Sequence, residues 1–214
     1  MDPRLNELLK WGIENSTTTS NDSVEAPRAN TTNLDPEVVA ALFGGPSDAE
    51  LMKEAMSAIL STDPELTLDD KLIAFDNFEQ LIENLDNANN LGPLALWSPL
   101  LSCLAHEAHE MRMMAAWCVG TAVQNNEKSQ ERLLAQGGIP KLVEMATSDE
   151  EQKDVRRKAI YALSSSCRNY QPAMDVLTEE LEKTGRKHGK VDAADMDAVD
   201  AVINGLREEA SKAA

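Results

Sequence analysis

The residues best suited to chemistry lie close together in "AHEAHEM", where His106, Glu107, His109 and Glu110 offer imidazoles and carboxylates to a metal or a proton. Zinc-dependent hydrolysis from a helix sets two histidines four apart, so that both imidazoles reach one metal from one face. Here the histidines are three apart, and no third ligand stands at a recognisable distance. A polar turn between helices is the better reading, with a metal hydrolase on His106 and His109 a distant third among the functions the chain could serve. His188, in "GRKHGK", sits in another such turn. The three cysteines, Cys103, Cys118 and Cys167, are far apart, odd in number and flanked by apolar residues. That pattern suits inert, buried thiols in a reducing compartment, and the cytosol is the simplest home. The chain lacks the glycine-rich phosphate loops and the G-x-S-x-G elbow, so neither a catalytic residue nor a cofactor is expected.

The chemistry must therefore be that of a surface, and the composition limits what surface it is. A chain of 214 residues that is 42% hydrophobic and 27% charged can bury one sizeable core. With only 4% aromatic residues and few β-branched runs, it favours helix nearly throughout. The formal net charge of -17 would repel a phosphate backbone and an anionic membrane, and it suits solubility and encounter with a partner that has a basic face. No apolar run approaches the roughly 20 residues of a membrane span.

The order of the elements follows from caps and breakers. Residues 1–15 predict a short helix with Leu5, Leu8 and Leu9 to one side, and the Ser/Thr/Asn-rich stretch 16–34 predicts a flexible linker. Residues 35–66 predict a helical cap. In it Asp35-Pro36 starts "PEVVAALF", Gly44-Gly45-Pro46 ends it, and Ser47 with Glu50 makes a capping box for the next helix. Thr67 with Asp70 then opens a longer helix from Leu68 to about Leu85.

From there the chain repeats. "KLIAFDNFEQLIEN" overlays "RMMAAWCVGTAVQN" at an offset of 41 residues, Lys71 on Arg112 and Ala74 on Ala115, and the same offset pairs Pro99 with Pro140 and Leu101 with Leu142. A third copy, "RRKAIYALSSSCRN", follows 44 residues later, with Arg156 on Arg112 and Ala159 on Ala115. All-helical units at roughly 40 to 47 residues mark an armadillo or HEAT solenoid. The expected fold is all-α: a right-handed armadillo-repeat solenoid over residues 67–170, capped by helices at both ends, the C-terminal cap being residues 171–214. "QGGIPKLVEMATSDEEQKDVRRKAIYALSS", Gln136 to Ser165, resembles an armadillo repeat almost position by position.

A solenoid of this kind binds along the concave face lined by the third helix of each repeat. The repeat register places Asp76, Trp117 and Tyr161 at one level of that face, Gln80, Thr121 and Ser165 at the next, and Glu83, Gln124 and Arg168 at a third. Trp117 and Tyr161 divide evenly between core packing and interface anchors. Asn84, Asn125 and Asn169 recur at one helix end, where capping or turn structure is the better account.

Three stretches carry a more specific resemblance: "LMKEAM" at Leu51 to Met56, "KLIAFDNFEQLIENLDNANNL" at Lys71 to Leu91 and "GTAVQNN" at Gly120 to Asn126. They resemble the nucleotide exchange factors of seventy-kilodalton heat-shock chaperones, the heat-shock-protein-binding-protein family. "LNELLKWGIENS" and "LFGG" are similar to its fungal cytosolic branch. The resemblance implies a cytoplasmic, monomeric protein that grips the chaperone's ATPase domain, displaces a lobe and lets ADP leave. On that expectation Asn87, Ala88, Asn89 and Asn90 form a ridge at the concave rim, with Ala88 small so that the partner can approach. The leading "LNELLKWGI" resembles the apolar peptides that such chaperones hold, and either competes with clients or docks on the solenoid's own end. The rival from another class is an armadillo adaptor whose acidic groove holds an extended basic peptide around Trp117 and Tyr161.

Overall fold

A computed structural model describes residues 44–212; the leading helix, the polar linker and "PEVVAALF" lie outside the described residues. Helix α1 (Asp48–Ile59) opens on the expected capping box, in which the Glu50 N–H donates to Ser47 Oγ at 3.3 Å and the Ser47 N–H donates to Glu50 Oε2 at 2.8 Å. Helix α2 (Leu68–Ile82) opens on a second box, Thr67 with Asp70. Such boxes satisfy the amide groups that a helix start leaves unpaired. Then come α3 (Leu85–Asn90), α4 (Trp97–Ser102) with a short 3₁₀ turn over Cys103–Ala105, α5 (His109–Val123), α6 (Glu127–Ala135), α7 (Gly138–Thr147), α8 (Lys153–Cys167), α9 (Gln171–Lys183) and α10 (Met196–Lys212). Among the described residues there is no strand, and no helix is long and apolar enough to cross a membrane.

Helices α2, α5 and α8 are each 15 residues long, and they begin at Leu68, His109 and Lys153. Those starts reproduce the 41- and 44-residue offsets of the sequence, so the repeat is one of structure as well as of pattern. The three lie side by side with α5 in the middle, and α10 packs on the far side of α8. This is an all-α, armadillo-like solenoid. Its core runs through the stack: Phe75 and Phe78 of α2, Met111 and Val119 of α5, and Ile160 and Leu163 of α8 are all 0% exposed. Truncating either phenylalanine would cost about 3–5 kcal/mol. The stripe Val199, Val202, Ile203 and Leu206 is the buried face of α10.

Close helix packing needs small residues. Ala115 and Ala159 are fully buried, and Gly120 gives way to a ring: a Cβ on it would lie 2.5 Å from Tyr161 Cε1 and 3.1 Å from Ala162 Cα. A second device recurs at the fourth residue of each inner helix. Lys71 Nζ donates to Ser61 O at 2.6 Å, Arg112 Nη1 to His106 O at 2.7 Å and Glu107 O at 2.8 Å, and Arg156 Nε to Ala146 O at 3.3 Å. Each cation holds carbonyls that precede its helix, those of Ser61, His106 and Glu107 in the turns and that of Ala146 in the last turn of α7.

The turns need left-handed backbone. Asn125 and Asn169, at φ 51° and 57°, turn the chain out of α5 and α8, in line with the tolerance of asparagine for that region. Asn84 departs from them: it caps α3, its side chain accepting the Asp86 N–H at 2.9 Å. Gly137, at φ 67°, turns into α7. Ala95 holds φ 56° without either residue's advantage. Ala95→Gly should therefore stabilise the fold by about 1 kcal/mol, read as a raised urea midpoint at unchanged slope; an unchanged or lowered midpoint would show that the turn is not strained.

Candidate functional site

The inner faces of α2, α5 and α8 line a groove whose midpoint is Trp117 and Tyr161. Both are half-buried, and Trp117 packs against the core. The Tyr161 hydroxyl donates to Gln124 Oε1 at 3.2 Å, and Lys158 Nζ sits 3.3 Å above the centre of the Trp117 ring and 5.9 Å from that of Tyr161. A cation over an indole face is held by the ring quadrupole, so the pair fixes the orientation of both side chains. Burial lowers the Lys158 ammonium below the usual lysine value, while Glu79 pulls it the other way. Glu79 is buried and accepts from Thr121 Oγ1 at 2.6 Å, which joins α2 to α5 beneath the groove.

Most of the expected groove residues have accessible side chains. Asp76, Gln80 and Glu83 are exposed on α2, with Gln80 Nε2 donating to Asp76 Oδ2 at 2.8 Å, and Gln124 is exposed at the end of α5. Thr121 and Arg168 are half-buried. Arg168 is already committed: it pairs with Asp200, and its Nε donates to Ser164 Oγ at 3.2 Å, holding α10 on α8. Ser165 departs from the expectation. It is 9% exposed, and its carbonyl accepts from Gln130 Nε2 at 3.0 Å, because α6 crosses the end of α8 there.

The asparagine ridge is corrected. Asn87 and Ala88 are buried, at 6% and 2% exposure, because α3 folds inward between α2 and α6. Asn87 Nδ2 donates to Asp48 Oδ2 at 2.7 Å and Leu81 O at 3.0 Å, tying α3 to the first turn of α1. The Ala88 carbonyl accepts from Ser129 Oγ at 3.5 Å, so its small side chain serves the contact between repeats. Asn89 is half-buried with its Oδ1 enclosed and without a protein donor, and Asn90 alone of the four is exposed.

The other side chains with chemical potential are accounted for by the scaffold. Burial pushes the thiols of Cys103, Cys118 and Cys167 up, Cys118 and Cys167 being 0% exposed. His106 Nδ1 accepts the Ala108 N–H at 3.0 Å, His109 Nδ1 lies 3.3 Å from Glu110, and no metal-binding cluster occurs among the described residues. The turn they occupy is clamped by Arg112, whose Nε and Nη2 also donate to Glu151 at 2.7 and 2.6 Å.

The sequence reading did not single out Lys158, Glu79, or the cluster formed by Lys153, Arg157 and Arg207. Each belongs to a contact between different helices, which the spacing within one repeat does not reveal. That cluster makes the α8–α10 side of the groove basic, while Glu79 and Glu83 line the α2 side. An acidic channel for an extended basic peptide is not what these residues build.

Comparison with known proteins agrees with the repeat reading. Residues 5–91 match the family described as nucleotide exchange factor Fes1, and residues 87–180 match the SIL1/FES1/HPBP1 C-terminal domain. The chain is 67% identical to the Hsp70 nucleotide exchange factor FES1 of Gibberella zeae, over 99% of both chains, and 55% identical to the Hsp70 nucleotide exchange factor fes-1 of Neurospora crassa, over the whole of both. Among solved structures it resembles the crystal structure of an engineered protein, with a TM-score of 0.53 and 17% identity over 85% of this chain and 76% of the other, a likeness of fold alone.

The clamp beside the groove has a pH signature. Burial raises the Glu151 carboxyl, but the Arg112 hydrogen bonds, helped by the Gln152 N–H, outweigh it and hold it below the usual carboxylate value. A carboxylate whose folded pKa is depressed stabilises the fold above its unfolded pKa and loses that contribution as pH falls through the folded value. Glu151→Gln should destabilise the protein by about 1–3 kcal/mol at neutral pH, with the gap to the parent closing in acid. A gap that persists unchanged in acid would show that the pair contributes nothing through charge.

Proposed function

The chain belongs to the Fes1 and SIL1/FES1/HPBP1 family, and from that membership we propose that it is a nucleotide exchange factor for a seventy-kilodalton heat-shock chaperone. The observation that carries this is the 67% identity over 99% of the Gibberella zeae exchange factor. We assign the grip to the chaperone's ATPase domain and to the groove centred on Trp117 and Tyr161. Asp76, Gln80, Glu83, Thr121, Gln124 and exposed Asn90 would complete the contact surface. The protein would act as a monomer in the cytoplasm.

The mechanism asks for no bond-making by this chain. If the groove fits an opened, nucleotide-free ATPase domain better than the closed ADP form, binding pulls the equilibrium toward the open state. Linkage then requires ADP to be weakened by the same factor; a differential of about 3 kcal/mol corresponds to more than a hundredfold. A rigid solenoid suits this, because its stacked helices hold the contact residues in one arrangement while the partner's lobes move. Trp117, half-buried and packed against the core, has the makings of an interface anchor.

Stopped-flow release of a fluorescent ADP analogue from the chaperone, chased with excess ATP, tests the proposal. Release should accelerate and saturate as the protein is titrated, and Trp117→Ala should weaken binding by about 2 kcal/mol while circular dichroism stays unchanged. An unaltered release rate with folded protein would sink the exchange role; full activity in Trp117→Ala would move the grip elsewhere.

A further inference from the structure

We propose that the part of the groove between α5, α8 and α10 seats an acidic patch of the chaperone, with Trp117 as its floor and Lys153, Arg157, Lys158 and Arg207 as its cationic rim; this rests on the exchange-factor reading. The chain carries 37 acidic residues against 20 basic ones, so a basic cluster runs against its overall balance. Four cations elsewhere are paired, Arg112 with Glu151, Arg168 with Asp200, Lys183 with Glu180 and Arg186 with Glu209. Among the described residues none of the four rim cations makes an ion pair. Lys153 Nζ donates to the Ser211 carbonyl at 3.1 Å and Arg207 Nη1 to Asn204 Oδ1 at 3.0 Å, both neutral acceptors. Asp154 also lines this part, but one of its oxygens accepts the Val155 N–H of its own helix at 2.8 Å.

Local contacts account for part of this placement: Lys158 is held over the Trp117 ring and Lys153 on the Ser211 carbonyl. Lys153 opens α8, where the helix dipole favours acids and disfavours bases, and Arg157 follows one turn later. Arg207 of α10 faces the same space across the groove. Carboxylates placed among the four would form charge-assisted hydrogen bonds over an apolar floor, where partial shielding from water strengthens them. The opposite side carries Asp76, Glu79 and Glu83, so the groove is polarised along its length. A polarised groove fixes the orientation of its occupant and steers the encounter.

The full chain would be titrated calorimetrically into nucleotide-free chaperone at low and physiological salt, as the parent, as Arg157→Glu/Arg207→Glu and as Arg157→Gln/Arg207→Gln. Charge reversal should weaken binding about tenfold or more at low salt, neutralisation should weaken it less, and both should flatten the salt dependence at unchanged melting temperature. If the reversed variant fails to fold, the glutamine variant decides. Parent-like affinity and salt dependence in the folded variants, with the parent itself binding and releasing ADP, overturn the acidic-patch assignment alone. A parent that neither binds the chaperone nor releases ADP overturns the exchange-factor reading, and the patch with it.

Discussion

The near-contact of α5 with α8 at Gly120 is the constraint on which the rest of the groove depends. With no Cβ at that position, the Tyr161 ring lies against the backbone of α5, and a methyl group there would meet it at 2.5 Å. The ring's position brings its hydroxyl to Gln124 and sets Lys158, three residues earlier on α8, over Trp117. One missing side chain thus sets the spacing of two helices and the attitude of three side chains. Buried Ala115 and Ala159 keep the same helices close over the rest of their length. The rigid inner surface that a partner would meet follows from these small residues more than from any polar contact.

Much of this was legible in the sequence, for an identifiable reason. Offsets of 41 and 44 residues reappear as the starts of three helices of equal length, because a solenoid repeats its packing and each repeat must put small and apolar residues at the same levels. The capping boxes at Ser47 and Thr67 read correctly because they are local. What failed depended on contacts between repeats. Asn87 and Ala88 look like surface in a polar run, but α3 tucks between α2 and α6, where Asn87 reaches Asp48 from 39 residues away. Ser165 is closed off by α6, and Lys158 gains its place from a ring on another helix. The histidine turn, the sequence's best candidate for metal chemistry, is instead a joint that Arg112 and Glu151 hold.

The groove and the family membership together describe a protein that would work by binding difference. Its thiols are buried, and its basic and acidic residues face each other across a tryptophan. Such a surface can favour one arrangement of a partner over another, and thermodynamic linkage turns that preference into weaker binding of whatever stabilises the disfavoured arrangement.

The preference itself is measurable. Calorimetric titration of this protein into the chaperone's ATPase domain, once nucleotide-free and once saturated with ADP, gives the two affinities directly. The account predicts tighter binding to the nucleotide-free form, by the same factor by which this protein weakens ADP in the reciprocal titration. Equal affinities for the two forms would contradict it, because a ligand without such a difference shifts no equilibrium however tightly it binds.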